Sequence, residues 1–505
     1  MEKLNEGDVL ELVLEYLNTK GFTQAEQALR KEQHIAATGR QGTGTCTFER
    51  CSRSRLEGLL EKSHVAHMFG SSVANKRRRT NLDAALAAEP SASEGDNKDA
   101  SLTAAPEESP MTMATQITSY NPCKDDPYGA SSMPIYQVST FAQPSATTFG
   151  EYDYSRSGNP TRAALEKQIC ELEGGHRGFA FSSGMAALSA VTRLVKPGQE
   201  IILNDDSYGG TYRLLSKVAA RNHVIVRYVD MSGSQGPAKL KSAISDNTRL
   251  IMLESPTNPM QRILDIRAIS AIAHAHNAIV ELGADIVVHS ATKFISGHSD
   301  CMAGVVVVKD RALAEQVYFF QNAEGTGLSP FDSWLLLRGV KTMHIRVERQ
   351  QENALAVAAF LSAHPRISHV YYTGLPSHPG HGLHMSQASG GGSVICFRTG
   401  SLPFSQHIVT HTKLFKITVS FGSVNSLISL PGAMSHASIP AEVRAAREFP
   451  EDLIRISVGI ESAQDLIADL SRAMASYAAS AAAAAAIKPA AAADGSSGGG
   501  GSAEA

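Results

Sequence analysis

The sequence predicts an α/β fold with a mainly parallel central sheet, spanning about residues 116–474. Two observations carry this expectation. Apolar runs of strand length recur, as in Glu200-Ile201-Ile202-Leu203 and Leu250-Ile251-Met252-Leu253. Between them lie stretches with helical periodicity, around Tyr212 to Ala219 and Ile266 to His276. Strands that alternate with helices build parallel sheets covered by helices on both faces. Composition agrees. The 505 residues are 43% hydrophobic and 19% charged, with a net charge of −3. That is ordinary for a globular chain and gives no global field suited to nucleic acid or a membrane surface. No window carries the near-continuous apolar run of about 18 residues that a membrane span needs.

Ahead of this body the chain changes character twice. In residues 1–33, Val9, Leu10, Val13, Leu14 and Leu17 share one helical face, and Lys20-Gly21 breaks the pattern. Thr23 followed by Glu26 is a capping box, and a second short helix sets Ala25, Ala28 and Leu29 on one side. The stretch LELVLEYLNTKGFTQAEQALRKE resembles a LisH motif, a small helical dimerisation module; a generic helical hairpin accounts for the same pattern. The acidic start (Glu2, Glu6, Asp8, Glu11, Glu15) is unlike a transit peptide. Residues 34–115 read as a disordered linker. Its charge is about +6 over residues 34–80 and about −6 over residues 81–110, and it has few large apolar groups from which to form a core. Within it, Lys76-Arg77-Arg78-Arg79 is either a nuclear address or a solvated charge run. Residues 475–505, rich in Ala and then in Gly and Ser, read as a low-complexity tail. Six scattered cysteines form no CxxC pair, so neither a zinc site nor a disulfide framework is expected.

In open α/β sheets, ligands sit beyond the carboxyl ends of the strands. Four turns in that position carry polar residues. Phe179-Ala180-Phe181 runs into Ser182-Ser183-Gly184-Met185, which opens a helix expected to reach Val195. Free amides at such a helix start bind anions. The turn Asn204–Gly210 brings Tyr208, an aromatic able to stack on a planar ring. Glu254-Ser255-Pro256-Thr257-Asn258-Pro259 is a rigid polar turn. Ser290-Ala291-Thr292-Lys293 sets two hydroxyls and an amine after the run Ile286-Val287-Val288. Anion cradle, stacking aromatic, polar groups and lysine together meet the needs of pyridoxal 5'-phosphate, in which the lysine forms a Schiff base and the ring acts as an electron sink.

The body resembles the pyridoxal-phosphate enzymes of cysteine and methionine metabolism, and within them the plant-type cystathionine beta-lyases. The resemblance covers residues 122–474. It rests on DYSRSGNPTR (153–162), FSSGMAALSAV (181–191), LESPTNP (253–259), HSATKFISGHSDCMAGV (289–305), VSFGSVNSLISLPGAMSHASIP (419–440) and LIRISVGIE (453–461). It implies an aspartate-aminotransferase-like (fold type I) architecture: an N-terminal arm (116–180), a cofactor-binding domain (181–345) and a smaller C-terminal α/β domain (346–474).

By resemblance, Lys293 carries the cofactor and shuttles protons. The Gly184 and Met185 amides, with Ser290 and Thr292, hold its phosphate. Tyr154 and Arg156 reach the phosphate of a neighbouring subunit, which implies a homotetramer with shared sites. Tyr208 stacks on the ring, and Asn258 lies near the ring hydroxyl. Arg455 clamps the substrate carboxylate, with Ser420 in support. The implied reaction is β-elimination of cystathionine to homocysteine, pyruvate and ammonia, in a chloroplast by resemblance and otherwise in the cytoplasm. Asn425 stands where the gamma-acting relatives tend to carry glutamate. A gamma-lyase or gamma-synthase activity, or an impaired cofactor-binding or interaction protein, are the alternatives. The HxxHxxH spacing of His378, His381 and His384 raises a metal site, but the Pro379-Gly380 turn argues against a regular ligand face, and no metal is expected.

One stretch departs from the pattern. Ala278-Ile279-Val280 begins a strand, and five residues later Ile286 begins another. Parallel neighbours need a crossover of about a dozen residues. The family places here a loop and the aspartate that pairs with the pyridine nitrogen and strengthens the electron sink. Either a true deletion or a gene-model error accounts for its absence. One strand is therefore expected to dissolve or to pair irregularly, and Glu281 is the residue available to slide toward the vacant position.

Overall fold

The computed structural model describes residues 111–487, apart from 125, 282–284, 436–441 and 443–448, and side chains as far as 477. The LisH-like segment, the Lys76–Arg79 run, nearly all of the linker and residues 488–505 of the tail lie outside the described residues; the first part of the expected tail instead continues the helix Ala463–Ile487.

Three sheets organise the body. Strands β1 (Arg177–Phe181), β2 (Glu200–Asn204), β3 (Ile225–Val229), β4 (Thr248–Met252), β5 (Ile279–Val280), β6 (Ile286–His289) and β7 (Gly304–Val308) form two of them. One has the order β3-β2-β4-β5 and is parallel throughout. The other has the order β1-β7-β6, with β7 antiparallel to both neighbours. The parallel character expected from sequence thus holds in the first sheet, while β7 reverses direction in the second. β1 and β6 therefore point the same way. Among the described residues, one parallel bridge, Glu281 to Ile286, connects the two sheets.

The short join explains this break. β5 is cut to two residues, and β6 starts where β5 ends instead of lying beside it. A staggered start needs no crossover, so five residues suffice. Asp285 stitches the join: its backbone amide donates to the Val280 carbonyl at 3.1 Å, and its carboxylate accepts from the Val280 amide at 2.8 Å. It also meets His274 at 2.9 Å. The expectation of irregular pairing is met in this form.

The strands are apolar because both faces are covered. Ile201, Leu203, Leu250, Met252 and Val306 are buried on one face with Val191 and Leu215. Ile202, Ile251 and Val280 pack on the other against Ile269 and Ala273 of the helix Ile266–Ala275. Two helices depart from expectation. The one opening at Gly184 ends at Thr192, short of Val195, and closes with tight turns from Leu194 to Val191 and from Val195 to Thr192. The run near Tyr212 is an α-helical turn (Gly209–Arg213), a π turn (Leu214–Val218) and a 3-10 turn (Ala219–Asn222).

Helix Met343–Ala363 leads into the third sheet, β10-β11-β12-β9-β8. Its strands are β8 (His369–Tyr371), β9 (Val394–Arg398), β10 (Lys416–Ile417), β11 (Leu427–Ser429) and β12 (Leu453–Ser457). All pairs are antiparallel except β10 with β11. Its core gathers Tyr372, Phe397, Phe415, Ile454 and Leu466. Ahead of β1, residues 121–158 form an arm with little regular structure. It exposes Ile135, Tyr136, Val138, Phe149 and Tyr154.

Candidate active site

The expected turns follow β1, β2, β4 and β6, and side chains from the third sheet join them. The anion cradle is built by close approach. Ser183 caps the helix by accepting from Ala186 N at 3.1 Å, and its carbonyl accepts from Ala187 N at 3.1 Å. The amides of Gly184 and Met185 precede these bonds and have no acceptor among the described residues. A Cβ on Gly184 would lie 3.0 Å from that of Ser290, and one on Gly304 would lie 2.3 Å from the Ser183 carbonyl oxygen. Glycine at 184 lets the turn after β1 touch the turn after β6, and glycine at 304 lets the start of β7 touch it. Thr292 is fixed by exchange with Ala303: its hydroxyl donates to the carbonyl at 3.1 Å and accepts from the amide at 2.9 Å.

Lys293 Nζ donates to Ser420 Oγ at 2.6 Å. Ser420, expected to support Arg455, meets the lysine here. Gly422 closes the same contact, since a Cβ there would lie 2.9 Å from that of Lys293. Burial, and then the charge of Arg455, hold the Lys293 amine below its ordinary pKa. The Arg455 guanidinium lies 4.9 Å from the Phe421 ring centre, and its Nε is buried without a hydrogen-bond partner. A half-buried guanidinium with an unused donor is suited to an incoming carboxylate.

Sequence reasoning passed over the centre of this arrangement, Glu254. Its carboxylate accepts from Tyr208 N at 2.8 Å, its amide donates to Asn204 Oδ1 at 2.8 Å, and its side chain bonds that of Asn258. Glu254 is pushed up to about 7, chiefly by burial, while the Tyr208 bond and Arg455 oppose the shift. The signal was present: an acid directly after the buried apolar run Leu250–Leu253 needs a reason to be there. Asp206 was passed over too; it accepts from Thr257 Oγ1 and, at 3.2 Å, from Met260 N, fixing the turn that carries Asn258. Glu281 is buried, accepts from Leu253 N at 3.1 Å and is pushed up to about 8 by burial and then by the charge of Glu254.

Tyr154 and Arg156 sit on the arm. The guanidinium lies 5.2 Å from the Tyr154 ring centre, and its Nε donates to Asn322 Oδ1 at 3.2 Å. The three histidines use their rings for backbone contacts. His378 Nδ1 accepts from Gly380 N at 3.0 Å, His381 Nδ1 meets the Thr373 carbonyl at 2.8 Å and His384 Nε2 meets that of Gly390 at 2.8 Å. Among the described residues no group of His, Cys, Asp and Glu is arranged to hold a metal.

An α/β body with a half-buried lysine, its pKa lowered by desolvation, beside an open helix start defines a lysine-based cofactor enzyme. Residues 114–475 match the family described as Cys/Met metabolism PLP-dependent enzyme, and the chain belongs to it. It is 58% identical over 369 residues to the chloroplastic cystathionine beta-lyase of Arabidopsis thaliana, covering 70% of this chain and 79% of that one. To cystathionine beta-lyase of Neurospora crassa it is 49% identical over 384 residues, covering 73% and 82%. Among solved structures, cystathionine gamma-lyase from Lactobacillus plantarum complexed with L-serine matches with a TM-score of 0.70 at 39% identity, covering 72% of this chain and 99% of that one. The cofactor is pyridoxal 5'-phosphate, and the open Gly184 and Met185 amides, the Gly184–Ser290 approach and the depressed Lys293 amine all fit it.

Proposed function

We infer that this chain is a pyridoxal-phosphate-dependent carbon–sulfur lyase that cleaves cystathionine by β-elimination to homocysteine, pyruvate and ammonia, in methionine biosynthesis. The observation that carries the reading is the Lys293 amine, half-buried, bonded to Ser420 and held below its ordinary pKa by burial and then by the charge of Arg455. Two beta-lyases at 58% and 49% identity favour β- over γ-elimination.

The Gly184 and Met185 amides, Ser290 and Thr292 would hold the phosphate. Tyr208, braced through its amide by Glu254, would cover one ring face, and Asn258 would meet the ring hydroxyl. When bound, the cofactor supplies the sink for the electrons left as the Cα–H bond breaks. Arg455 would take the substrate carboxylate in its planar fork and so fix Cα against Lys293. Lys293 removes the proton from Cα: an amine below its usual pKa has a larger neutral fraction at physiological pH. Ser420 aims that amine.

Tyr154 and Arg156 lie on an arm with exposed apolar residues, which supports a homotetramer in which they complete a neighbour's site. The LisH-like segment would add a dimer contact. The compartment is the chloroplast by likeness to the Arabidopsis protein. The test is direct. Purified protein should be yellow or become so with added pyridoxal phosphate, and should release pyruvate from cystathionine. Colourless protein that resists reconstitution overturns the reading; yellow protein without turnover points to an impaired cofactor binder.

A further inference from the structure

Strand β4 is longer than its partner. The ladder pairs Leu250 with Ile279 and Ile251 with Val280, and the Glu281 amide donates to the Ile251 carbonyl at 3.0 Å. There β5 ends. In a continuing parallel ladder, the next β4-side amide, that of Leu253, would donate to a β5 carbonyl. Leu253 is only 4% exposed, so its amide has no access to water, and a buried amide left unpaired is costly. The Glu281 side chain folds back and accepts it through Oε2 at 3.1 Å.

Leu253 immediately precedes Glu254, whose carboxylate holds Tyr208 and whose side chain bonds Asn258. Whatever anchors the Leu253 amide anchors that turn. We propose that Glu281 is a positioning residue: its carboxyl replaces the missing β5 backbone as hydrogen-bond acceptor at the end of β4 and so fixes Glu254, Tyr208 and Asn258 for the cofactor. This rests on the cofactor assignment made above. In this arrangement Glu281 acts through the β4 turn and not as a charged partner of the ring. Burial and Glu254 favour its neutral form, which still accepts a hydrogen bond.

Two near-isosteric variants separate the roles. Glu281→Gln keeps a carbonyl acceptor without an ionisable group; Glu281→Met keeps the volume without an acceptor. Hydrogen–deuterium exchange of the segment spanning Leu253, measured on the full-length apo protein, needs no cofactor. Protection should match wild type in Glu281→Gln and fall at least roughly tenfold in Glu281→Met. In cofactor titrations followed by absorbance, Gln should bind within about twofold of wild type and Met roughly tenfold more weakly. In the holoenzymes, kcat should fall in Met and the KM for cystathionine should stay close to wild type. Equal exchange in all three proteins overturns the proposal. Equal loss of cofactor affinity in Gln and Met also overturns it, since the charge and not the acceptor would then matter. Wild-type protein that binds no pyridoxal phosphate sinks the functional reading instead, while the exchange experiment still decides the anchoring role.

Discussion

Lys293 Nζ donates to Ser420 Oγ at 2.6 Å, linking the turn after β6 to the loop before β11. The amine is thereby fixed by a residue from another sheet. In Ser420→Ala the amine loses one hydrogen bond and its aim. The expected result is a fall in kcat of roughly tenfold, the range of one charge-assisted bond, with cofactor binding retained. Steady-state kinetics and absorbance on the same preparation check both parts.

Removing the amine itself is more severe. Lys293→Ala should lose the yellow band of the purified protein and at least about a thousandfold of pyruvate release, as expected when a general base is deleted. A variant that keeps both would place the chemistry elsewhere.

Arg455 has an unpartnered Nε, and its charge helps to depress Lys293. Arg455→Lys keeps the charge but loses the planar fork, so the KM for cystathionine should rise by roughly ten- to a hundredfold. Arg455→Gln should in addition move the reactivity midpoint of the Lys293 amine to higher pH in the apo protein. Amine-directed labelling as a function of pH reads this shift.

Glu254 and Glu281 are raised above their usual 4.5, to about 7 and about 8. A carboxyl with a raised folded pKa binds more protons folded than unfolded between its two pKa values. Stability therefore falls as pH climbs from about 4.5 toward 8. The urea midpoint of wild-type apo protein should drop between pH 6 and pH 8.5, and Glu281→Gln should flatten that slope. An identical slope in the variant would remove Glu281 as a contributor.

If Tyr154 and Arg156 serve a neighbouring subunit, two dead variants should complement. Arg156→Ala and Lys293→Ala, unfolded and refolded together, should regain activity, because mixed oligomers contain some sites built from two intact halves. In random dimers roughly a quarter of sites qualify. No recovery from the mixture would place both residues in their own subunit's site.

Much of this site was legible in one dimension. Strand–turn–helix units announce themselves by apolar runs ending in small or polar residues, so Gly184, Tyr208, Asn258, Ser290, Thr292 and Lys293 were readable from position alone. Arg455 and Ser420 were not. They lie over a hundred residues beyond Lys293, on or near strands with no local mark of catalysis, and only the motif resemblance identified them. Glu254 and Asp206 stayed hidden because their roles are hydrogen bonds to residues about fifty positions away. The helix near Tyr212 failed as a regular helix for a similar reason: periodicity cannot separate α from π and 3-10 turns.

The sequence by itself determined the class of sheet, the lysine and the anomaly before it, because strand period, turn chemistry and the minimum length of a crossover are local properties of the chain. Only the tertiary structure decided how the anomaly is absorbed. β6 begins where β5 stops, Asp285 ties the two ends, and Glu281 turns its carboxyl to the amide of Leu253. That choice depends on which donor the shortened strand leaves unpaired in a dry interior, and such a donor is defined by a neighbouring strand, not by the residues around the join.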